Sequence, residues 1–202
     1  MSGDSNVTAT RERLVTSAAE LFGRQGLSAT GIKQILAESN AQFSSLYHHF
    51  PGGKDQLAAE AIRTAGLGYQ HLVEDVWDGA GDLLASVSSV FEGASLVLQA
   101  TDYADACPIA TIALEVASTN EDLRLATAEV FESWNVAASG RLVAAGIAPA
   151  DARELAVSVI ALLEGGFILS RASKSPEPML IAGRTAVAAV QRALSAVGQA
   201  KG

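Results

Sequence analysis

The chain has little cysteine, few residues suited to catalysis and no obvious export signal. Its single cysteine among 202 residues, Cys107, excludes an intramolecular disulfide and gives no sign of an oxidising compartment. The N-terminus has neither a basic segment nor an apolar one, so we expect no signal peptide. The most apolar stretch, 155–169, is short for a membrane span and contains Glu164. These absences predict a soluble, cytoplasmic protein.

Catalytic residue types are scarce beyond residue 54. That part of the chain has one histidine, His71, one thiol, Cys107, and no glycine-rich phosphate loop. We interpret Cys107 as a buried small residue and His71 as a structural one. The adjacent His48 and His49 would point about 100° apart on a helix, so they are poorly placed to share a metal. The sequence predicts neither an enzyme nor a cofactor or metal site.

Positive charge is also in short supply, but its distribution matters more than its sum. The formal net charge is −8. Residues 1–54 contain five basic and four acidic residues, whereas residues 55–202 contain nine and eighteen. The excess acid therefore lies outside the first quarter of the chain. A near-neutral N-terminal segment can still bind DNA, although with a weaker non-specific electrostatic contribution.

Apolar residues with helical spacing are abundant. They make up 49% of the chain, aromatic residues make up only 5%, and no convincing period-two pattern appears. The spacing predicts an all-α fold of about nine helices, three short and six longer. We predict an N-terminal three-helix helix-turn-helix domain over residues 1–54 and a larger helical domain over residues 55–202.

The segment 30–57 carries the strongest functional pattern, TGIKQILAESNAQFSSLYHHFPGGKDQL. It predicts two short helices joined by a tight turn at residues 39–41, after a first helix that ends at Gly26. Leu46 and Phe50, four residues apart, are the predicted inward anchors. The opposite face of the second helix leaves five residues for a DNA major groove: Phe43, Ser44, Ser45, Tyr47 and His48.

The block LYHHF, followed by a short turn, a lysine and a leucine-led helix, resembles the DNA-binding domain of the TetR family. The variant FPGGKDQL, with two glycines before the lysine, resembles the LmrA/YxaF-type branch of that family. The stretches Cys107-Pro108-Ile109-Ala110 and Glu164-Gly165-Gly166 are similar to features of the same branch. The resemblance covers nearly the whole chain. It implies a DNA-binding regulator whose larger domain senses a small molecule and dimerises.

The resemblance also implies roles for individual residues of the reading segment. Thr30 would cap the second helix and contact a phosphate, Tyr47 would contact the DNA backbone, and Lys54 would add a phosphate contact. Relatives often have a basic residue where Phe43 stands, so Phe43 either contacts a thymine methyl group or is partly buried. The alternatives for Tyr47, His48 and Lys54 are ordinary core or surface positions. The predicted DNA contacts are Thr30, Lys33, Phe43, Ser44, Ser45, Tyr47, His48 and Lys54.

The last two helices have more apolar positions than one core stripe requires, including Ile168 and Ile181. Small residues between them permit close approach of helices. This pattern suits a homodimer in which two helices of each subunit meet their twofold copies, with ordinary packing inside one chain as the alternative. The predicted interface residues are Leu155, Val159, Leu162, Leu163, Gly166, Val187, Val190 and Leu194.

A sensor pocket is expected among the middle helices because TetR-like proteins have one there. An apolar wall with few polar anchors would suit a lipophilic or aromatic effector, and each wall residue could equally be simple core. The predicted lining residues are Trp77, Phe91, Leu98, Cys107, Ile112, Phe131, Trp134 and Phe167.

The prediction for function is a repressor that binds palindromic operator DNA as a dimer and is released by a small lipophilic effector. Its alternative is a DNA-binding regulator, an activator or one that recruits a partner, with no small-molecule effector. A helical enzyme or carrier with a chance helix-turn-helix is a third reading, and the missing catalytic residues count against it.

Overall fold

The computed structural model describes residues 2–200, and it contains no strand over those residues. Nine helices follow one another in this part of the chain, which confirms the predicted all-α fold. Their bounds are α1 Ser2–Gln25, α2 Ile32–Glu38, α3 Phe43–His49, α4 Gly53–Gly79, α5 Leu83–Ala100, α6 Pro108–Val116, α7 Glu121–Ala144, α8 Pro149–Ser173 and α9 Glu177–Ala200.

The chain forms two compact units. The first consists of the residues up to Gly68 together with Cys107–Val130. Its core includes the apolar stripe of α1, where a spacing of three and four residues puts the side chains on one face of the helix. These side chains are at most 6% exposed: Leu14, Ala18, Leu21 and Phe22. The stripe gives α2, α3 and α6 an apolar surface to pack on.

The second unit consists of Tyr69–Ala106 together with the chain from Phe131 onward. Helices α5, α8 and α9 contact one another and bury a common core. Gly183 lets α9 lie close to α5, because a Cβ atom at Gly183 would be 2.7 Å from the Cβ of Phe91. Small residues in these helices thus serve the packing within one chain.

Two of the helices contribute residues to both units. The first residues of α4 belong to the first unit and the remainder to the second, and α7 is divided in the same way after Val130. Compactness therefore divides the chain differently from the predicted domains 1–54 and 55–202. That prediction separates DNA binding from sensing, and it stays a prediction about function.

Helices α5 and α8 are long and apolar enough to cross a membrane when judged by length and composition alone. Their most apolar windows have mean hydropathies of 1.4 and 1.7. This is weak support for a membrane location, since core helices of soluble proteins pass the same test. Most residues in the apolar stretch of α8 are nevertheless not buried within the chain, so that helix has apolar surface available for another contact.

Candidate nucleic-acid interface

The turn between α2 and α3 has a left-handed residue at its centre. Asn40 has a φ of 49°, and its N–H donates to the carbonyl of Ala37 at 3.3 Å. The N–H of Ala41 donates to the carbonyl of Leu36 at 3.0 Å. This pair of bonds is the Schellman arrangement that ends helices, and asparagine adopts the left-handed conformation more readily than other non-glycine residues. The predicted tight turn at Asn40 is confirmed.

Helix α3 has only seven residues, so its neighbours must hold it in place. Leu46 is 0% exposed, and Phe50 just after the helix is 1% exposed. Ile35 of α2 is likewise 0% exposed, which completes the predicted inward face of the helix pair. The other face of α3 is open, because Ser44 and His48 are exposed and Ser45 is half-buried.

Phe43 stands on this open face, where more than half of the residue's surface is accessible. It is 59% exposed, and Tyr47 one turn later is 41% exposed. The two rings contact each other with centroids 5.0 Å apart at an interplanar angle of 48°. The open face thus carries an aromatic pair beside two small hydroxyl side chains, and α3 itself contains no acidic residue.

Thr30 does not cap α2, which corrects the sequence prediction. The helix begins at Ile32, its N-cap is Gly31, and no side chain bonds to the cap. Thr30 is only 1% exposed, and its hydroxyl donates to the carbonyl of Gly26 at 2.6 Å. The hydroxyl of Thr30 therefore stabilises the turn after α1. The N-cap of α2 lies one residue later than predicted, at Gly31. The phosphate contact predicted for Thr30 would compete with this bond.

The two predicted lysine contacts lie in different surroundings. Lys33 on α2 is exposed. Lys54 is half-buried at the start of α4, and its ammonium donates to the carbonyl of Leu27 at 2.6 Å. A phosphate contact by Lys54 would therefore compete with a bond inside the protein, whereas Lys33 has no such restriction among the described contacts.

Glu115 of α6 is a residue of this region that the sequence reasoning missed. Its carboxylate accepts from the backbone N–H of Leu27 at 2.9 Å and of Ser28 at 2.8 Å. Gly26 precedes them with a φ of +85°, and a Cβ atom there would lie 2.1 Å from Oε1 of Glu115. Glu115 and Lys54 thus hold the loop after α1 from two helices. No local signal could reveal this contact, because 88 residues separate Leu27 from Glu115.

The surroundings of Glu115 favour its ionised form. Burial would raise its pKa, but the hydrogen bonds from Ser28 and Leu27 and the positive charge of Lys54 lower it by more, so the pKa lies below the ordinary value of 4.5. The carboxylate is therefore charged at neutral pH. A charged acceptor makes stronger hydrogen bonds to backbone N–H groups than a neutral one.

The two histidines at the end of α3 differ in exposure. His48 is exposed and His49 is half-buried, with ring centroids 5.2 Å apart. Burial is the largest cause that lowers the pKa of His49, followed by the charges of His48 and Arg11. The lowered pKa favours the neutral form of His49 over the charged form. His48 is the member of the pair that can present its ring to a ligand.

The residues predicted to line a sensor pocket fall into separate groups. Phe91 and Leu98 are buried in the core of the second unit, and Trp77 and Phe167 pack against that core. Phe131 and Trp134 form a perpendicular ring pair at 5.5 Å, within the same unit. The ring of Tyr69, a residue outside the predicted lining, has its centroid 6.4 Å from that of Trp134. The remaining two residues belong to the first unit, where both are buried: Cys107 and Ile112.

Of the eight residues predicted to form a dimer interface, two are buried within the chain and six are partly buried. Val190 is 0% exposed, and a Cβ atom at Gly166 would lie 2.8 Å from the sulfur of Met179. The other six pack partly buried against the core of the second unit: Leu155, Val159, Leu162, Leu163, Val187 and Leu194. Val190 and Gly166 therefore contribute to the packing of α8 and α9 within one chain. Any contribution they make to an interface is indirect.

Helices α8 and α9 nevertheless present apolar side chains to solvent. Ile168 and Ile181, two of the apolar positions noted in the sequence, are 54% and 46% exposed. Val157 at 45% and Leu169 at 59% lie on α8 as well. Helices α4 and α7 each expose as many large apolar residues as α8 does. Exposed apolar residues that form one continuous patch are typical of surfaces that contact another molecule.

A short helix with an open polar and aromatic face, fixed through a tight turn to a second short helix, defines a helix-turn-helix DNA-binding protein. Residues 14–61 match the family model described as bacterial regulatory proteins of the tetR family. Residues 84–185 match the model described as the C-terminal domain of LmrA/YxaF-like transcriptional regulators. The chain belongs to the TetR family of transcriptional regulators, in its LmrA/YxaF-like branch.

Relatives of known sequence support this assignment over most of the chain. The HTH-type transcriptional regulator YxaF of Bacillus subtilis is 33% identical over 85% of this chain and 90% of its own. LmrA of the same species is 32% identical over 84% of this chain and 90% of its own. These relatives are regulators of transcription and not enzymes, as the sequence predicted for this chain.

Solved structures show the same fold. A TetR regulatory protein from Rhodobacter sphaeroides matches with a TM-score of 0.78 at 20% identity, covering 88% of this chain and 97% of that protein. A TetR transcriptional regulator from Chloroflexus aurantiacus matches with a TM-score of 0.74 at 26% identity, covering 93% and 96%.

Proposed function

We propose that this regulator is a repressor that binds palindromic operator DNA as a homodimer and is released by a small lipophilic effector. The observation that carries the proposal is the division of α3 into two faces. Leu46 is fully buried, whereas Phe43 is 59% and Tyr47 41% exposed, so the helix is anchored on one side and open on the other. Such a helix can enter a major groove without unfolding.

The DNA contacts follow from the exposure of each side chain. Ser44 and His48 are exposed and can donate to base edges or phosphates, and Lys33 can reach a phosphate from α2. Thr30 would contribute indirectly, because its hydroxyl stabilises the turn after α1. In a twofold dimer, two copies of α3 about 34–36 Å apart would meet successive major grooves on one side of the duplex. A palindromic site is the DNA counterpart of that symmetry.

Dimerisation is proposed through α8 and α9. The exposed apolar side chains of α8 would be buried against the partner's copy, which would remove the unfavourable contact with water. The eight residues predicted from the sequence lie on the same two helices, and the six that are partly buried would contribute to this interface directly. A repressor that binds operator DNA would act in the cytoplasm, where the chromosome lies.

An effector would act by shifting a population between two conformations. It must bind better to a conformation whose α3 helices do not fit the operator, and the loss of DNA affinity cannot exceed that difference in effector affinity. The ring pair of Phe131 and Trp134 with Tyr69 nearby offers an aromatic surface of the kind that lipophilic ligands use.

The experiment that tests the proposal is selection of bound sequences from random double-stranded DNA at a stated salt concentration. Purified, folded wild-type protein is expected to enrich a palindrome whose half-sites are about one helical turn apart. A matched selection uses the double variant Ser44→Glu/His48→Glu, which places two acids on the open face and leaves the buried anchors unchanged. Enrichment of the same sequence by both proteins would show that α3 does not read DNA.

A regulator without an effector remains the second candidate. A thermal-shift screen separates the two, because a ligand that binds only the folded protein raises its melting temperature. A stabilising compound that also releases the selected operator supports the effector-released repressor. Stabilising compounds without any effect on operator binding would favour the alternative.

A further inference from the structure

Phe43, on the open face of α3, is not part of the buried core of the helix pair. Phe43 is the first residue of α3 and is 59% exposed. The core of the helix pair is already filled by Leu46 and Phe50, which are 0% and 1% exposed. An exposed phenylalanine at this position adds apolar surface in contact with water without adding to that core.

Tyr47 holds the Phe43 ring in a defined place. The centroids are 5.0 Å apart and the rings are tilted by 48°, a separation typical of attractive aromatic pairs. Tyr47 in turn lies close to Gly53, where a Cβ atom would be 3.6 Å from the Cε1 atom of Tyr47. The Phe43 side chain therefore has less rotational freedom to lose when a ligand covers it.

A phenyl ring can neither donate nor accept an ordinary hydrogen bond, and this restricts what it can recognise. The major-groove edges of guanine, adenine and cytosine present donors and acceptors, and covering them with a phenyl ring leaves those groups unsatisfied. Thymine alone among the four bases presents a methyl group, at C5. The exposed ring is matched to that group.

We propose that Phe43, supported by Tyr47, reads the C5-methyl group of one thymine in each half-site of the operator. The inference rests on the proposed function, because it needs the open face of α3 in a major groove. It assigns Phe43 as a specificity-determining residue. A repressor dimer would then read two symmetry-related thymines through one contact per subunit.

The test replaces each thymine of the selected operator by uracil, one symmetric pair at a time, and measures affinity by fluorescence anisotropy. Uracil removes only the methyl group and leaves the base pair and its O4 acceptor intact. Loss of one buried methyl group is expected to weaken binding about fourfold per half-site. Wild-type protein is expected to show this loss at one symmetric position and at no other.

Protein variants then connect the effect to Phe43. In Phe43→Ala the difference between thymine and uracil is expected to disappear at that position, and in Phe43→Leu, which keeps an apolar side chain, part of it is expected to remain. Leu114→Ala is the matched control, because Leu114 on α6 is an exposed apolar residue outside the open face, at 77% exposure. Leu114→Ala is expected to keep the full difference. Equal melting temperatures of all four proteins confirm that the comparison is one of binding.

A second DNA change tests the same contact from the opposite direction. With a G·C pair at the identified position, 5-methylcytosine is expected to bind wild-type protein about fourfold more tightly per half-site than cytosine, and Phe43→Ala is expected to bind both alike. Wild-type binding that ignores every thymine methyl group, or a Phe43→Ala variant that retains the sensitivity, overturns the inference alone. Folded wild-type protein that selects no DNA overturns the proposed function and the inference together.

Discussion

The contact between Glu115 and the loop after α1 gives a quantitative prediction for the substitution Glu115→Ala. The change removes two hydrogen bonds from backbone N–H groups to a carboxylate, at 2.9 Å to Leu27 and 2.8 Å to Ser28. A hydrogen bond to a charged group contributes about 1.5–3 kcal/mol, and less where solvent can replace it. The bond to Ser28 is solvent-exposed and the bond to Leu27 is partly buried.

We therefore expect Glu115→Ala to lower the free energy of unfolding by about 2–3 kcal/mol. The assay is urea denaturation followed by circular dichroism at one fixed protein concentration, since the stability of a dimer depends on concentration. Glu115→Gln retains one amide oxygen as an acceptor, so it is expected to lose about half as much as Glu115→Ala.

Glu129→Gln is the matched control in the same unit. Its carboxylate forms an ion pair with Arg63 at 3.0 Å, and the two side chains are 59% and 47% exposed. Exposed ion pairs contribute about 0–1 kcal/mol, so this variant is expected to unfold nearly as the wild type does. A Glu115→Ala variant no less stable than Glu129→Gln would refute the account of the loop.

The same contact predicts a dependence on pH. The folded-state pKa of Glu115 lies below the ordinary value of 4.5, so its contribution is fully present above that value and is lost as the pH falls through the lowered pKa. The difference in unfolding free energy between wild type and Glu115→Gln should therefore be constant near neutral pH and shrink below pH 4.5. A difference that grows on acidification would contradict the sign of the shift.

Three further predictions concern other parts of the chain. Leu169→Asp on α8 should give a monomer in sedimentation velocity, whereas Leu114→Asp on α6, at a residue 77% exposed, should stay dimeric; equal behaviour would remove α8 from the interface. Gly183→Ala should lower the unfolding free energy by about 1–3 kcal/mol through its clash with Phe91. Gly140→Ala, where a Cβ atom meets nothing within 4 Å, should raise it by about 0.5–1 kcal/mol, and thermal denaturation measures both changes. Lys54→Ala should reduce stability and leave the slope of log affinity against log salt unchanged, because its ammonium bonds to Leu27; a slope smaller by about 0.9 for each subunit would instead show a phosphate contact.

Local features of the fold were predictable because single residue types determine them. Gly26 and Gly146 end helices with φ values of +85° and +96°, as expected for glycine after a helix. Asn40 supplies the left-handed residue of the turn between α2 and α3, because asparagine adopts this conformation more readily than other non-glycine residues. The burial of Leu46 and Phe50 followed from their four-residue spacing, which puts them on one face of a helix or its continuation.

Other features could not be predicted because their causes lie far away in the chain. Asp102 and Tyr103 both have left-handed backbones, with φ values of 48° and 61°, and neither residue type requires this. Arg171 holds the carbonyls of Tyr103 and Ala104 at 3.2 and 3.0 Å, across more than sixty residues of sequence. A tertiary bond of this kind can fix a conformation that local preference disfavours.

The predicted DNA-binding residues illustrate the same difference within one site. The helical period of α3 predicts which side of the helix is exposed, and this exposure is observed for Phe43, Ser44, Tyr47 and His48. Thr30 is buried by a contact with the carbonyl of Gly26, a loop geometry that the period of a helix does not describe. The interface residues of α8 and α9 stay a prediction, because apolar spacing does not distinguish a contact with a partner subunit from a contact with the same chain's core.

Cleavage of the selected operator by a tethered iron chelate tests whether α3 lies in the major groove of both half-sites. Gln42 is exposed at the N-cap of α3 and makes no side-chain cap bond, so Gln42→Cys can carry the chelate. The only native thiol, Cys107, is 5% exposed and should not react in the folded protein. Gly140→Cys, at an exposed residue of α7, provides the control conjugate.

The Gln42→Cys conjugate is expected to cleave at two symmetry-related positions about 10 base pairs apart, while the Gly140→Cys conjugate is expected to leave the operator intact. Cleavage by the Gly140→Cys conjugate alone, or the same pattern from both conjugates, would contradict the assignment of α3 as the DNA-reading helix.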